Sequence, residues 1–108
     1  MAIAEITVEE LAERLGQGAR LIDVREVDKY DEGHVPGAAL VVLGTVPDNV
    51  DQFRGDGPTY VICKSGGRSM RACQFLEGEG VETVNVAGGT MAWIASGRPV
   101  ATAGDTPS

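Results

Sequence analysis

The amino-acid sequence predicts an α/β domain with a mostly parallel sheet. Three features carry that prediction. Short apolar runs recur at Leu21-Ile22-Asp23-Val24, Thr59-Tyr60-Val61-Ile62 and Val81 to Val86, each of strand length. Stretches with apolar residues at helical spacing precede, separate and follow them. Glycine, present 15 times, punctuates the junctions. Strands alternating with helices build a parallel sheet, because parallel neighbours need a crossover between them.

The elements follow in chain order. Thr7, with Glu10 three residues later and Leu11 and Leu15 beyond, reads as a capping box opening a helix that Gly16 and Gly18 end. Leu21 to Val24 is a buried strand with Asp23 at its carboxyl end. Residues 26–32 are polar around Tyr30 and form a short helix. Gly33-His34-Val35-Pro36-Gly37-Ala38 is a loop, and Ala39 to Leu43 is another short strand. Val46 to Phe53 reads as a helix closed by Gly55-Asp56-Gly57-Pro58. Thr59 to Ile62 is the clearest strand, β-branched and aromatic between turn residues, and it runs straight into Cys63. Arg68 to Glu77 forms a helix with Met70, Ala72, Cys73, Phe75 and Leu76 on its apolar face, stopped by Gly78 and Gly80. After the strand to Val86, Gly88-Gly89 turns into a helix holding Met91, Ala92, Trp93 and Ile94.

With 108 residues, 43% hydrophobic and 23% charged, the chain suits one ordinary globular domain. Nine basic against sixteen acidic residues give a net charge of −7. That balance argues against nucleic acid or an anionic membrane as partner, since both would repel most of the surface. A small anion remains compatible where cations gather, and Lys64 to Arg71 holds three basic residues and no acid. No apolar run approaches the roughly 18 residues of a membrane span. The first ten residues lack a basic-then-apolar leader pattern, so a soluble, cytoplasmic protein is expected. Two cysteines are too few for a disulfide framework or a four-ligand zinc site. No metal and no organic cofactor is expected.

In parallel sheets, ligands sit beyond the carboxyl ends of the strands. Asp23 and Cys63 both fall there. The segment Cys63-Lys64-Ser65-Gly66-Gly67-Arg68 joins a strand to a helix start, and each residue type has a use. Gly66 and Gly67 let the backbone curl so that N–H groups turn inward as an anion nest. The helix that follows adds its positive end, and Lys64 and Arg68 add full charges. Cys63 at the rim of that field should favour thiolate. A free thiol, with a pKa of about 8.5, is only about 3% ionised at neutral pH; lowering it by about two units makes most of it thiolate. Cysteine phosphatases place five residues between their cysteine and arginine, whereas four lie between Cys63 and Arg68. The shorter loop encloses less volume, which suits one sulfur atom on Cys63 better than a phosphoryl group.

Four segments together resemble the rhodanese family: Leu21 to Arg25; Gly33 to Ala38; Cys63 to Arg68; and Gly88-Gly89 with Ala92-Trp93 and Gly97-Arg98-Pro99-Val100. The similarity runs over about residues 3 to 101. The resemblance implies a three-layer rhodanese-like domain over residues 1–101, with a central, mostly parallel five-stranded sheet flanked by helices, and a flexible tail over 102–108. It also implies a thiosulfate sulfurtransferase that works through a persulfide on Cys63. The expected partners are a small anionic sulfur donor and a thiol, cyanide or protein-thiol acceptor. Lys64, Ser65, Gly66, Gly67 and Arg68 would bind substrate. Asp23 and Arg25 would stand behind the loop, Asp23 orienting a loop donor or Arg68. A module that hands persulfide only to a protein partner is an alternative. A cysteine phosphatase or arsenate reductase is a weaker one.

Other residues read as structural. Cys73 falls on the apolar helix face with Met70 and Leu76. His34, the only histidine, lies in a turn. Trp93 belongs to the core, Lys29 to the solvated surface, and the Gly88-Gly89 pair is a turn without chemistry.

Overall fold

The computed structural model describes residues 3–103. Its strands are β1 (Ala4–Ile6), β2 (Arg20–Asp23), β3 (Ala39–Leu40), β4 (Thr59–Ile62) and β5 (Thr83–Val86); its helices are α1 (Val8–Gly16), α2 (Val27–Glu32), α3 (Gly67–Gly78) and α4 (Gly89–Ala95). The strands form one sheet in the order β1-β5-β4-β2-β3, and every pairing is parallel. The predicted architecture holds.

Alternation along β4 divides the core into two faces. Val61, with Ile22 of β2, packs with Ala72, Cys73 and Leu76 of α3 and with Val46 and Phe53. Tyr60 and Ile62 face the other way, with Val8 and Leu11 of α1 and Trp93 of α4. The result is three layers. Leu76 is fully buried, so truncating it to alanine costs about 2–5 kcal/mol.

The Thr7 capping box is present in full: the hydroxyl accepts from the Glu10 N–H at 3.2 Å, and the Glu10 carboxylate accepts from the Thr7 N–H at 3.0 Å. Three expectations change. The expected helix over Val46 to Phe53 is instead two 3₁₀ segments, Leu43–Asp48 and Val50–Phe53. Pro47 lies inside the first and cannot donate to an α-helical ladder. The strand expected over Ala39 to Leu43 keeps only Ala39–Leu40, because Leu43 starts that 3₁₀ segment. Phe75 is 40% exposed and so leaves the apolar face on which the periodicity put it, and Met91 and Ile94 of α4 are each 54% exposed. β1 is a further strand that the residue pattern did not announce.

The chain end is fastened back. Ala101 and His34 exchange backbone hydrogen bonds of 2.9 and 2.8 Å, and the Ala103 N–H donates to Asp31 O at 3.1 Å. The described backbone is therefore tied to the rest of the domain as far as residue 103. Residues 104–108 of the expected tail lie outside the described residues.

Candidate active site

β4 carries the chain into the centre of the sheet's carboxyl edge and delivers Cys63 there. The next three residues turn sharply before α3, and α4 holds that turn from behind. The N–H groups of Thr90 and Met91 donate to the carbonyls of Cys63 and Lys64 at 2.9 and 3.0 Å, and the Thr90 hydroxyl donates to Cys63 O at 3.0 Å. Gly89 allows this approach: a Cβ there would lie 2.5 Å from Cys63 O and 2.6 Å from Lys64 O. With the loop carbonyls drawn toward α4, the following N–H groups are free to face the sulfur. Gly66 makes the turn, at φ +108, a left-handed conformation that side chains resist.

Cys63 is 1% exposed, so it forms the floor of the loop rather than the expected rim. Its Sγ accepts from the Gly66 N–H at 3.2 Å and from the Ser69 hydroxyl at 3.3 Å. Burial pushes the thiol up, but the Ser69 hydroxyl and the N–H groups of Ser69, Gly66 and Ser65 outweigh it and hold the thiol below its ordinary value. Aligned hydrogen-bond donors therefore produce the shift, as the expected nest would, without a contribution from the Lys64 and Arg68 charges that were expected to add to it. Those two side chains are exposed.

Behind Ser69 stands Asn85 of β5, fully buried on the same sheet face as Val61, its register partner. Ser69 Oγ lies 2.5 Å from Asn85 Oδ1. Asn85 Nδ2 donates to Gly66 O at 3.2 Å and to Glu5 of β1 at 2.9 Å. Ser69, Asn85 and Thr90 thus join the site although the sequence reading passed over them, and so does Gly89, which that reading gave only a turn. A polar residue alternating with Val84 and Val86 in a buried strand was the available signal for Asn85.

Asp23 and Arg25 engage each other. Arg25 Nε lies 3.0 and 3.1 Å from the two Asp23 carboxylate oxygens, Nη2 lies 2.7 Å from Oδ2, and the Arg25 N–H donates to Oδ1 at 3.0 Å. Arg25 Nη2 also donates to Gly33 O at 2.9 Å. This buried pair ties the end of β2 to the loop before β3. Asp23 spends its hydrogen bonds on Arg25, not on Arg68.

A cavity of about 410 Å³ opens beside the loop, lined by Lys64, Arg68 and Thr90 with Arg25, Met91 and Ile94, and also by the carboxylates Glu26, Asp28 and Glu32. Lys29 also reaches it, paired loosely with Glu32 at 3.9 Å. Ser65 and Gly67 are exposed on the loop, and Gly66 is half-buried.

The residues read as structural sit as expected. His34 is buried, stacked on Tyr30 at 3.7 Å between ring centroids, with Nδ1 2.7 Å from Tyr30 O. Trp93 is buried and donates from Nε1 to Pro99 O at 2.8 Å. Cys73 is fully buried; burial pushes its thiol up to about 11, with the Thr83 hydroxyl pulling partly back.

A parallel sheet with a cysteine-bearing loop at its carboxyl edge defines a protein of known kind. The chain matches the family model described as the rhodanese-like domain over residues 7–96, and it belongs to that family. It is 39% identical over 101 residues to "Putative sulfurtransferase YtwF" of Bacillus subtilis, covering 92% of this chain and 98% of the relative. It is 30% identical over 95 residues to "Putative sulfur carrier protein YrkF" of the same organism, covering 85% of this chain and 51% of that longer protein. The fold superposes on the crystal structure of a rhodanese-like domain protein from Staphylococcus aureus with a TM-score of 0.79 and 34% identity, over 84% of this chain and 91% of that one. The chain is sulfurtransferase-like by descent. No described helix is long and apolar enough to cross a membrane.

Proposed function

We propose that the protein is a sulfurtransferase in which Cys63 carries sulfane sulfur from a small anionic donor, thiosulfate or a chemical relative, to a thiophilic acceptor. The observation that carries this reading is the convergence of the Gly66 N–H and the Ser69 hydroxyl on Cys63 Sγ. Such donors stabilise an anion on sulfur without adding or removing a proton.

The transfer has two steps. Cys63 thiolate attacks the outer sulfur of thiosulfate; a new S–S bond forms, the old one breaks, and sulfite leaves with its electron pair. The acceptor, cyanide or a thiolate, then attacks the outer sulfur of the persulfide. Cys63 leaves as thiolate, ready for another cycle. Lys64 and Arg68, exposed at the cavity mouth, attract the dianionic donor within about a Debye length. The inward N–H groups stabilise the persulfide once it forms.

A second reading is a delivery module that passes its sulfur only to a protein thiol. The exposed Met91 and Ile94 beside the cavity favour it, and the relative named as a sulfur carrier is in keeping with it.

The test is intact mass after thiosulfate treatment of the reduced protein and of Cys63→Ser. Gain of one sulfur atom, removed by cyanide and absent from the variant, is the expected result. Fast cyanide turnover favours the enzyme; loading with slow turnover favours delivery. No sulfur gained, from thiosulfate or 3-mercaptopyruvate, would sink both readings and turn attention to hydrolysis of aryl phosphates.

A further inference from the structure

We propose that Asn85 is a positioning residue for the Cys63 sulfur, acting by giving the Ser69 hydroxyl proton a second acceptor. The proposal rests on Cys63 being the sulfur carrier, and it adds how the site follows the charge on that sulfur.

The geometry is a contest for one proton. Ser69 Oγ lies 3.3 Å from Cys63 Sγ, 3.3 Å from Gly66 O and 2.5 Å from Asn85 Oδ1. A hydroxyl has a single proton to donate. The orientation of the Asn85 amide is fixed by its other neighbours, Glu5 Oε2 at 2.9 Å and Gly66 O at 3.2 Å. Both are acceptors only, so the nitrogen must face them and the oxygen must face Ser69.

Two hydrogen-bond arrangements follow. With Cys63 as thiol, its S–H donates to Ser69 Oγ and Ser69 donates to Asn85. With Cys63 as thiolate, Ser69 turns its proton to the sulfur and Asn85 Oδ1 loses a donor. Asn85 and Ser69 are both fully buried, so that loss opposes ionisation. During the cycle the charge moves. In the persulfide it sits on the outer sulfur, Sγ is neutral, and the Ser69 proton returns to Asn85. When the acceptor takes the outer sulfur, negative charge returns to Sγ and the proton follows. The hydroxyl rotates between two partners while every heavy atom stays in place.

The charged and titratable groups around this triad are few. Glu5 on β1 holds the far side of the Asn85 amide. Cys73 shares the apolar cluster with Cys63. Lys64 and Arg68 line the cavity together with Glu26, Asp28, Lys29 and Glu32, and Asp23 and Arg25 are closed on each other.

The experiment is the pH dependence of iodoacetamide alkylation of Cys63, in a Cys73→Ala background so that one thiol is read. Ser69→Ala raises the midpoint. Asn85→Val removes the competing acceptor and also the support of Gly66 O, so it is compared with and without Ser69. The expected result is that Asn85→Val changes the Cys63 ionisation constant about three- to tenfold more favourably with Ser69 present than it does in the Ser69→Ala background, the size of one net hydrogen bond. Equal effects in both backgrounds would mean that Asn85 only supports the loop, and would overturn the proposal. Should Asn85→Val fail to fold, Asn85→Ala is put through the same comparison with and without Ser69, and equal effects in both backgrounds overturn the idea equally. Alkylation needs no sulfur donor. An intact coupling in a protein that gains no sulfur would therefore sink the transfer reading while leaving this one standing.

Discussion

Gly89 packs directly against the backbone of Cys63: a methyl group at residue 89 would sit 2.5 Å from the Cys63 carbonyl oxygen. Gly89 also has φ +59, so alanine there meets strain as well as a clash. Gly89→Ala is expected to destabilise the protein by about 2–4 kcal/mol and to return Cys63 toward ordinary thiol reactivity. Urea unfolding and alkylation rates measure the two effects. Gly67→Ala is the contrast. That residue starts α3 with no positive φ and open space around a Cβ, so alanine is neutral or stabilises by up to about 1 kcal/mol.

The Cys63 thiol ionises below its ordinary value in the fold, and the sign of the linkage follows. A depressed folded pKa contributes stability above the unfolded thiol range, near 8.5, and that contribution is lost as pH falls through the folded value. Cys63→Ala should therefore lose relative stability as pH rises toward 9. Denaturation midpoints of both proteins between pH 6 and 9 check this; parallel curves would contradict it.

Cys73 behaves in the opposite sense. With its thiol raised to about 11, the folded state keeps it protonated while the unfolded chain ionises. Its contribution is intact below the unfolded thiol range and fades as pH rises toward 11. In the native protein Cys73 is expected to resist alkylation at pH 8 while Cys63 reacts, as peptide mapping of the labelled protein would show. Cys73→Ala should leave sulfur uptake unchanged.

Removing one partner of the Asp23–Arg25 pair strands a buried charge or its partner. Arg25→Ala, which leaves the fully buried Asp23 carboxylate alone, is expected to cost about 3–5 kcal/mol. Asp23→Leu with Arg25→Met should cost clearly less. Both comparisons read out in urea unfolding, and equal losses would show that the pair acts only as volume.

Lys64 and Arg68 are predicted to act on donor capture, not on the thiol. Lys64→Ala and Arg68→Ala should each raise KM for thiosulfate roughly fivefold, an effect that shrinks with added salt. The midpoint of Cys63 alkylation should move little. A large shift of that midpoint would restore the full charges as the source of thiol activation.

How much was legible in the sequence depended on whether the signal was local. The Thr7–Glu10 box, the β4 run and the turn at Gly66 declare themselves within a few residues, and all three are present, whereas Gly67 simply starts α3. β1 is three residues at the sheet edge, too short for any period, and its strand character comes from pairing with β5, about 80 residues away. The 46–53 segment has apolar residues at plausible spacing, but Pro47 decides its geometry. Cys63 was identified from its own loop, whereas the groups that set its chemistry come partly from β5 and α4. Ser69 and Asn85 meet only because α3 crosses back over β5, and no spacing rule connects residues 16 apart. Gly89 read as a turn glycine because a turn is all that its neighbours reveal.

The dependence of the Cys63 loop on Gly89 and Thr90 also sets an order of events during synthesis. Cys63 leaves the ribosome well before the segment that must draw its carbonyl aside, and β1, made first, pairs with β5, one of the last strands to emerge. Until then the nascent chain has neither a closed sheet nor a formed anion nest, and its exposed thiol is an ordinary one. The lowered Cys63 thiol therefore depends on β5 and α4, and a product truncated before them is expected to bear the cysteine with ordinary thiol ionisation. Contacts so distant in sequence also slow the search for the native state. A lowered Cys63 thiol thereby reports that β5 and α4 have closed on the loop.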